Sequence, residues 1–396
     1  MARRFMKQLS CLAPAIPAMV QQHGGKTSLD HSAELDQGVR NKSARTLFCR
    51  NVAMCQQATH QARRTPRVAV VGDVFVDVMA KVHGLPEWDI DVEADFVKVL
   101  PGGSALNGAR HLHSLGSEVL FFGAVGDDGF GKMLLERVAG QGFPTDYFRI
   151  LPDLPSSVCM VLTGPKDRAM VSCYSTTSAF STAHVEEQAE SVLSCEHLHI
   201  GGYYNMKRLQ SPEFTAFVRR CREHGMSISM NTQYAAAGDW LGRDGHMLKL
   251  LPLIDFLFVN GIEADGISTA VVAQCQPDGD AKASGTEQLC SCIPGLTAVV
   301  TQGAAGCDVV SAGSSMLRVP TAPLSEVVDA TGAGDAFFAG FLYSWLAQRQ
   351  FSDTHRGRLH AACNMGHAVA RVVVGREGAC VEPVRPGDVN VGVKSE

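Results

Sequence analysis

The chain has 396 residues, enough for one large or two ordinary domains, and its 45% hydrophobic content is typical of a globular protein. A formal net charge of −5 argues against nucleic acid as the main partner. No apolar run reaches the length of a membrane span, so no membrane partner is expected. Thirteen cysteines without a paired or zinc-binding spacing indicate reduced thiols and an intracellular location.

Residues 1–66 form a basic N-terminal extension with ten Lys or Arg and three Asp or Glu. The segment lacks helical or strand periodicity, and its first acidic residue is Asp30. This composition favours an organellar transit peptide, mitochondrial or plastid. The alternatives are a disordered tail or sequence upstream of a later start such as Met54, and the protein would then be cytoplasmic. Residues 391–396 form a short C-terminal tail.

From Arg67 onward the pattern becomes that of a folded domain. The sequence predicts a buried strand from Val68 that ends in a loop, Gly72-Asp-Val-Phe-Val-Asp77, with two carboxylates. A glycine-rich turn at 101–107 leads into a helix over 108–115. The order then predicts a strand over 119–125, a helix over 130–139 and a hairpin made by the strands 158–162 and 169–174.

Beyond the hairpin, strands alternate with helices, which predicts a mainly parallel sheet covered by helices on both faces. The predicted elements are 197–200, 212–224, 227–230, 256–259, 298–301 and the helix 335–347. Ligands bind such sheets at the carboxyl ends of the strands. The segments expected to converge at that edge are Asp77, 102–107, Asn231, Asn260, 301–303 and 329–335. We find no linker inside residues 67–390 and expect one domain there.

The segment Asp329-Ala-Thr-Gly-Ala-Gly-Asp335 runs directly into an apolar helix. A helix N-terminus exposes free N–H groups and the positive end of the helix dipole, and this geometry binds phosphate. Glycines at 332 and 334 let the backbone approach an anion closely. A carboxylate at this place would repel phosphate, so Asp335 suggests a base that takes a proton from a hydroxyl. The alternative is an ordinary helix cap.

Together these motifs resemble the ribokinase-like (PfkB-type) carbohydrate kinases. Gly102-Gly-Ser-Ala-Leu-Asn107, followed by the segment Gly123–Gly131, resembles the first family signature, and Asp329–Asp335 resembles the second. Asn260-Gly-Ile-Glu263 matches the Asn-x-x-Glu element, and Gly72–Asp77 resembles the sugar-binding turn. The resemblance implies a Rossmann-like, ribokinase-like α/β fold with a small β lid.

The resemblance covers residues 67–388 and implies a role for each matching position. Asp335 would be the catalytic base, and the backbone N–H groups of Gly332, Ala333 and Gly334 would form the anion hole. The residues implied for acceptor binding are Asp77, Gly103 and Asn107.

The cofactors implied by the resemblance are ATP, Mg²⁺ and a monovalent cation such as K⁺. Asn260 and Glu263 would organise Mg²⁺ through water. Gly334 and Asn260 would also bind the nucleotide, together with Thr301, Gly303 and His367. The positions matching the cation site are Asp329, Thr331 and the turn Gly375–Ala379.

The lid is expected around residues 78–100 and 156–176, where the family also forms its homodimer surface. Ribokinases usually carry Asn where this chain has Phe75 and Lys where it has Ser104. The Gly-Gly-Ser sequence also resembles nucleoside kinases of the same superfamily. These two departures leave the acceptor open.

Three functions therefore remain. The first is an ATP-dependent kinase of the hydroxymethyl group of a ribose-like or fructose-like sugar. The second is a nucleoside kinase of the adenosine type. The third is a non-catalytic ligand-binding or regulatory protein, which the intact Asp335 argues against. A dinucleotide-dependent dehydrogenase is excluded because no Gly-x-Gly-x-x-Gly follows the first strand.

Overall fold

The computed structural model describes residues 65–164, 168–275, 285–324, 326–347, 354–376 and 382–390. The tail 391–396 and nearly all of the basic extension 1–66 lie outside the described residues, as does most of the turn Gly375–Ala379. No helix in these ranges has the length and apolarity that a bilayer crossing requires.

Nine strands form the main sheet, in the order β13-β12-β11-β10-β9-β8-β1-β4-β5. The pairs from β5 to β11 are parallel, and β12 and β13 are antiparallel additions at one edge. The expectation of a mainly parallel sheet is confirmed. The strands are β1 Arg67–Gly72, β4 Glu118–Gly126, β5 Phe148–Leu151, β8 His197–Gly201, β9 Ser227–Asn231, β10 Phe256–Asn260, β11 Thr297–Thr301, β12 Cys307–Ser311 and β13 Leu317–Val319.

Four strands form a second, smaller sheet, which we call the lid, in the order β3-β2-β6-β7. They are β2 Phe75–Val82, β3 Ala94–Gly102, β6 Val158–Thr163 and β7 Arg168–Cys173. Strands β6 and β7 pair antiparallel, so the predicted hairpin is confirmed.

The sequence predicts that Asp77 lies in the loop after the first strand. This prediction is wrong, because Asp77 lies inside strand β2 of the lid. The chain leaves the main sheet at Gly72, which packs so closely against Ala105 and Gly201 that a Cβ would lie 2.3 Å from the Ala105 side chain. After two further residues it pairs with both β3 and β6. Backbone pairing on both sides keeps Asp77 extended.

Helices cover both faces of the main sheet, as predicted. The helices are α1 Ser104–Ser114, α2 Gly129–Gly140, α3 Ser175–Ala179, α4 Thr182–Glu186, α5 Ala189–Leu193, α6 Pro212–Glu223, α7 His246–Leu250, α8 Gly261–Cys275, α9 Thr286–Cys292, α10 Ala333–Ala347 and α11 His355–Val374. Alternate residues of β1 enter different cores: Val70 belongs to the core that includes α1, α10 and α11, and Val71 belongs to the core that includes α6 to α9. The sheet is therefore buried on both faces.

Helix α1 begins at Ser104, four residues earlier than the sequence predicts. The residue before it, Gly103, has φ 99°, a conformation that favours glycine. No local side chain caps the helix. Instead, the carboxylate of Asp73 accepts a hydrogen bond from Ala105 N at 2.8 Å. The first turn of α1 is thus fixed against the end of β1.

Candidate active site

The loop Asp329–Gly332 ends at the N-terminus of α10, which begins at Ala333. Gly332 has φ 76°, so the turn before the helix requires the left-handed backbone that glycine adopts most easily. Asp329 Oδ1 accepts a hydrogen bond from Thr331 N at 2.8 Å and stabilises the loop. A Cβ added to Gly334 would meet nothing within 4 Å, so there is open space beside this helix terminus. The geometry fits a bound phosphate.

Asp335 lies in the first turn of α10 and is buried. Its Oδ1 accepts a hydrogen bond from Ser104 Oγ at 2.6 Å, and its Oδ2 accepts one from Asn107 Nδ2 at 3.2 Å. Burial raises the pKa of Asp335 to about 6, against the lowering effect of these two hydrogen bonds. At neutral pH the carboxyl is mostly ionised and can accept a proton.

Two further carboxylates lie close to Asp335. Burial raises the pKa of Asp77 to about 7, and the charges of Asp335 and Asp73 add to this shift. Burial also raises the pKa of Asp73, although Ala105 N and the Asn205 side chain donate hydrogen bonds to it. The pKa values of all three carboxyls are therefore raised, and hydrogen-bond donors of a bound ligand would lower them.

The glycines of the first signature make room for these carboxylates. A Cβ on Gly102 would lie 2.2 Å from the Asp77 carboxylate, and a Cβ on Gly103 would lie 2.6 Å from the backbone oxygen of Asp73. The structure therefore brings together Asp77, Gly103, Asn107 and Asp335, as the sequence predicts. Ser104, which directly follows Gly103 and stands where ribokinases usually carry Lys, donates a hydrogen bond to Asp335.

Asn260 and Glu263 form a reciprocal cap at the start of α8. Asn260 Oδ1 accepts from Glu263 N at 3.0 Å, and the Glu263 carboxylate accepts from Asn260 N at 3.1 Å and from Asn260 Nδ2 at 2.9 Å. Both are oxygen ligands of the kind Mg²⁺ prefers, usually through water. The cap positions them at the carboxyl end of β10, so these residues fit an Mg²⁺–nucleotide complex.

The other predicted nucleotide residues lie on neighbouring elements. Thr301 ends β11 and is paired in register with Asn260, and Gly303 follows in an exposed turn with φ 55°. His367 is buried in α11, where its Nε2 lies 3.1 Å from the carbonyl oxygen of Val319. None of these side chains is hydrogen-bonded to Asp335 in the part of the chain that the structure describes.

The predicted monovalent-cation residues, Asp329 and Thr331, are adjacent in the loop and hydrogen-bonded to each other. Their oxygens are the ligand type that hard cations bind. Within the described ranges, no cluster of three or more His, Cys, Asp or Glu has the geometry of a metal site.

Arg168 is a site residue that sequence reasoning missed. It begins strand β7, on the lid face that also carries Asp77, because Arg168 pairs with Thr163 and Thr163 pairs with Lys81. Its Nη1 donates to Thr331 Oγ1 at 2.6 Å, and its charge lowers the pKa of Asp335. The only signal in the sequence is an arginine at the end of a predicted hairpin, which is not specific.

The fold has close counterparts among solved structures. Ribokinase from Giardia lamblia superposes with a TM-score of 0.68 at 18% identity, covering 83% of this chain and 100% of that one. The architecture is therefore the ribokinase-like α/β fold with a β lid.

Sequence comparison gives the family. Residues 65–385 match the pfkB family carbohydrate kinase model. Adenosine kinase from Saccharomyces cerevisiae is 26% identical over 275 residues, covering 68% of this chain and 76% of that protein. Ribokinase from Bacillus subtilis is 25% identical over 276 residues, covering 69% of this chain and 84% of that protein. The chain belongs to the pfkB family of carbohydrate kinases, which are ATP-dependent phosphotransferases.

Proposed function

We propose that the protein phosphorylates the hydroxymethyl group of a small sugar, ribose-like or fructose-like, with ATP as the donor. The observation that carries the proposal is the position of Asp335, a buried carboxylate in the first turn of α10, directly after the glycine-rich loop. The family membership of residues 65–385 supports the same chemistry.

In this proposal Asp335 accepts the proton of the acceptor hydroxyl as the hydroxyl oxygen attacks the γ-phosphorus of ATP, the bond from that phosphorus to the β–γ bridging oxygen breaks, and ADP leaves. The backbone N–H groups of Gly332, Ala333 and Gly334 bind the phosphoryl oxygens, whose charge the helix dipole also stabilises. Little covalent chemistry is asked of the protein, since phosphoryl transfer depends chiefly on positioning and charge stabilisation. The raised pKa of Asp335, about 6, makes it a stronger base than an exposed aspartate while it stays ionised at neutral pH.

The acceptor is held by Asp77, the backbone of Gly103 and the side chain of Asn107. Asn107 donates a hydrogen bond to Asp335, and the charge of Asp335 acts on Asp77. A carboxylate that accepts hydrogen bonds from two sugar hydroxyls is a strong anchor in a site closed to water. Asp77 is half-buried and its pKa is raised to about 7, so hydrogen bonds from bound hydroxyls would shift its ionisation.

The nucleotide and the Mg²⁺ ion would bind near the carboxyl ends of β10 and β11, and the monovalent cation would bind at the loop before α10. Asn260 and Glu263 hold the water shell of Mg²⁺, which when bound neutralises charge on the phosphates. Thr301, Gly303 and His367 line the nucleotide, and Asp329 with Thr331 binds K⁺. The hydrogen bonds that fix Glu263 and Asp329 support these positions.

A nucleoside acceptor is the second candidate, and the lid favours it in one respect. The ring of Phe75 packs edge-on against Tyr174, with centroids 5.6 Å apart and planes at 85°. Met79 and Val161 complete this apolar cluster beneath the lid. Phe75, Met79 and Val161 are buried, and the half-buried ring of Tyr174 at the edge of the cluster is the surface on which a nucleobase would pack.

ADP formation measured over a panel of pentoses, hexoses and nucleosides tests the proposal. We expect acceptor-dependent turnover with at least one compound and a loss of about 100-fold or more in the D335N variant, which controls for contaminating ATPases. Turnover with nucleosides alone would replace the sugar by the second candidate. A chain that binds ATP but turns over no member of the panel would contradict the proposal and favour a non-catalytic binding protein.

A further inference from the structure

Asp335 is joined to the end of strand β9 by two short hydrogen bonds. Ser104 Oγ lies 2.6 Å from Asp335 Oδ1 and 2.5 Å from Asn231 Nδ2. Ser104 is 7% exposed, Asn231 6% and Asp335 8%, so water does not replace these contacts. The three residues belong to three separate elements, α1, β9 and α10.

The direction of the hydrogen bonds follows from the groups involved. Asn231 Oδ1 accepts from Gly202 N at 3.1 Å, which fixes the orientation of the amide and turns its NH₂ group toward Ser104. The amide nitrogen can only donate, so Ser104 Oγ accepts from it. A hydroxyl has one proton, and the proton of Ser104 is therefore committed to Asp335. The hydrogen bonds therefore all point in one direction, from Gly202 N through Asn231 and Ser104 to the Asp335 carboxylate.

The side chains behind Asn231 are polar, and His199 is the first of them. Burial lowers the pKa of His199 to about 3, with contact to the Asn231 side chain opposing the shift, so this histidine is neutral at working pH. His199 Nδ1 is 2.8 Å from Ser229 Oγ, which is 2.7 Å from His197 Nε2. His199 also stacks on Phe338 of α10, with centroids 4.2 Å apart. This packing holds Asn231 in place without a competing charge.

We propose that Ser104 and Asn231 are positioning residues: their hydrogen bonds occupy Asp335 Oδ1, so that Oδ2, which accepts the longer hydrogen bond from Asn107 at 3.2 Å, is the oxygen that takes the acceptor's proton. The proposal rests on the assignment of Asp335 as the base. It adds roles for Ser104 and Asn231, two residues that do not touch the reacting atoms.

The charged groups facing Asp335 allow a directional prediction. The negative charge of Asp73 raises the pKa of Asp335, the charge of Arg168 lowers it, and Asp335 in turn raises the pKa of Asp77. The hydrogen bond from Ser104 is the largest influence that opposes burial. If this hydrogen bond is lost, the pKa of Asp335 rises. A larger fraction of Asp335 is then protonated at acidic pH and cannot act as the base.

The experiment is the pH profile of kcat/KM for the acceptor in the S104A variant. A hydrogen bond to a charged group contributes about 1.5–3 kcal/mol, so the acid limb should move up by about one to two pH units. Activity should fall about 5- to 50-fold near pH 6 and recover toward the parent value near pH 8.5, with KM for ATP unchanged. S104T, which keeps the hydroxyl, should restore the parent midpoint.

N231L removes the donors of Asn231 at similar size and should move the acid limb in the same direction by less. Because the two residues act in series, the double variant should shift no further than S104A alone. S344A is the matched control. Ser344 is a buried serine on α10, the helix that carries Asp335, and its Oγ has no partner among the described residues. It should leave the midpoint in place.

Two outcomes overturn the proposal: an S104A profile with the parent midpoint, or a uniform loss of activity at every pH, which would indicate a structural role only. The N231L profile decides in the same way if S104A does not fold. The D335N variant distinguishes the role of Asp335 as the base from the role of Ser104 and Asn231 as positioning residues. An inactive D335N beside an unshifted S104A refutes the positioning residues alone, and an active D335N refutes the base as well.

Discussion

Arg168 of the lid donates a hydrogen bond to Thr331 of the glycine-rich loop, with Nη1 2.6 Å from Oγ1. The two residues are 163 positions apart, and they join strand β7 to the loop before α10. A lid that reaches this loop brings a fixed positive charge to the place where the proposed phosphoryl group is transferred. Closure of the lid and charge stabilisation would then occur together.

The R168A variant should lose about 10²-fold in kcat, the typical cost of removing one donor to a developing charge. ATP affinity should change little, and R168K should recover part of the loss. R137A is the matched control, since Arg137 also donates one hydrogen bond to the lid, to Val99 O at 2.7 Å, but on strand β3. Equal losses in R168A and R137A would indicate that the lid needs both arginines only for stability.

Replacement of Asp77 by alanine should weaken acceptor use and leave nucleotide binding near the parent value. The loss of a charged hydrogen bond in a desolvated site costs about 1.5–3 kcal/mol, or about 10- to 100-fold in acceptor KM. Steady-state kinetics with each substrate varied in turn provide the measurement. If ATP and acceptor are affected equally, the assignment of Asp77 to the acceptor is wrong.

The contribution of Asp77 and Asp335 to stability should fall as pH rises through the acid range. The folded-state pKa values of Asp77 and Asp335, about 7 and about 6, lie above the ordinary value of 3.8, so the folded protein holds protons that the unfolded chain releases. The part of the free energy of unfolding that these two carboxyls contribute therefore decreases from about pH 4 to about pH 7. D77N removes one titrating acid and should be more stable than the parent at pH 8, by on the order of 3 kcal/mol.

Urea unfolding at pH 4.5 and pH 8 measures this difference, which should be much smaller at the lower pH. D146N, a change at an exposed aspartate, is the control and should give the same difference from the parent at both pH values. A D77N variant that is less stable than the parent at pH 8 would contradict the burial argument.

The outer face of the lid is expected to form a homodimer. Val97, Met160 and Val171 are 62%, 47% and 60% exposed. The strand register places them on the face opposite Asp77, since Met160 pairs with Val78 and with Val171. Contiguous apolar surface of this kind marks an interaction site. Light scattering should give twice the chain mass, and V171E should reduce it; a monomeric parent would refute the dimer.

Much of the architecture follows from local pattern. Alternating strands and helices predict the parallel sheet, and the glycine-rich turns locate Gly103, Asn107 and Asp335 at its carboxyl edge. These predictions succeed because each depends on a few consecutive residues whose backbone conformation and hydrophobic period are set locally.

The contacts that complete the site could not be predicted in this way. Ser104 meets Asp335 across 231 positions and Asn231 across 127, and Asp73 caps α1 from the end of β1. Neither a serine nor an arginine at these places has a local signature. Their roles arise only when the sheet order brings β1, β9 and the lid to the N-termini of α1 and α10.

The most direct measurement is the turnover of D335N with the best acceptor of the panel. Asn keeps the size and hydrogen bonding of Asp335 but cannot accept a proton, so kcat should fall by about 10²–10⁴-fold. The variant should stay folded and bind Mg·ATP at least as well as the parent, because a negative charge near the phosphates is gone. A variant that keeps more than about a tenth of the parental kcat would contradict the base assignment and leave Asp335 as a helix cap.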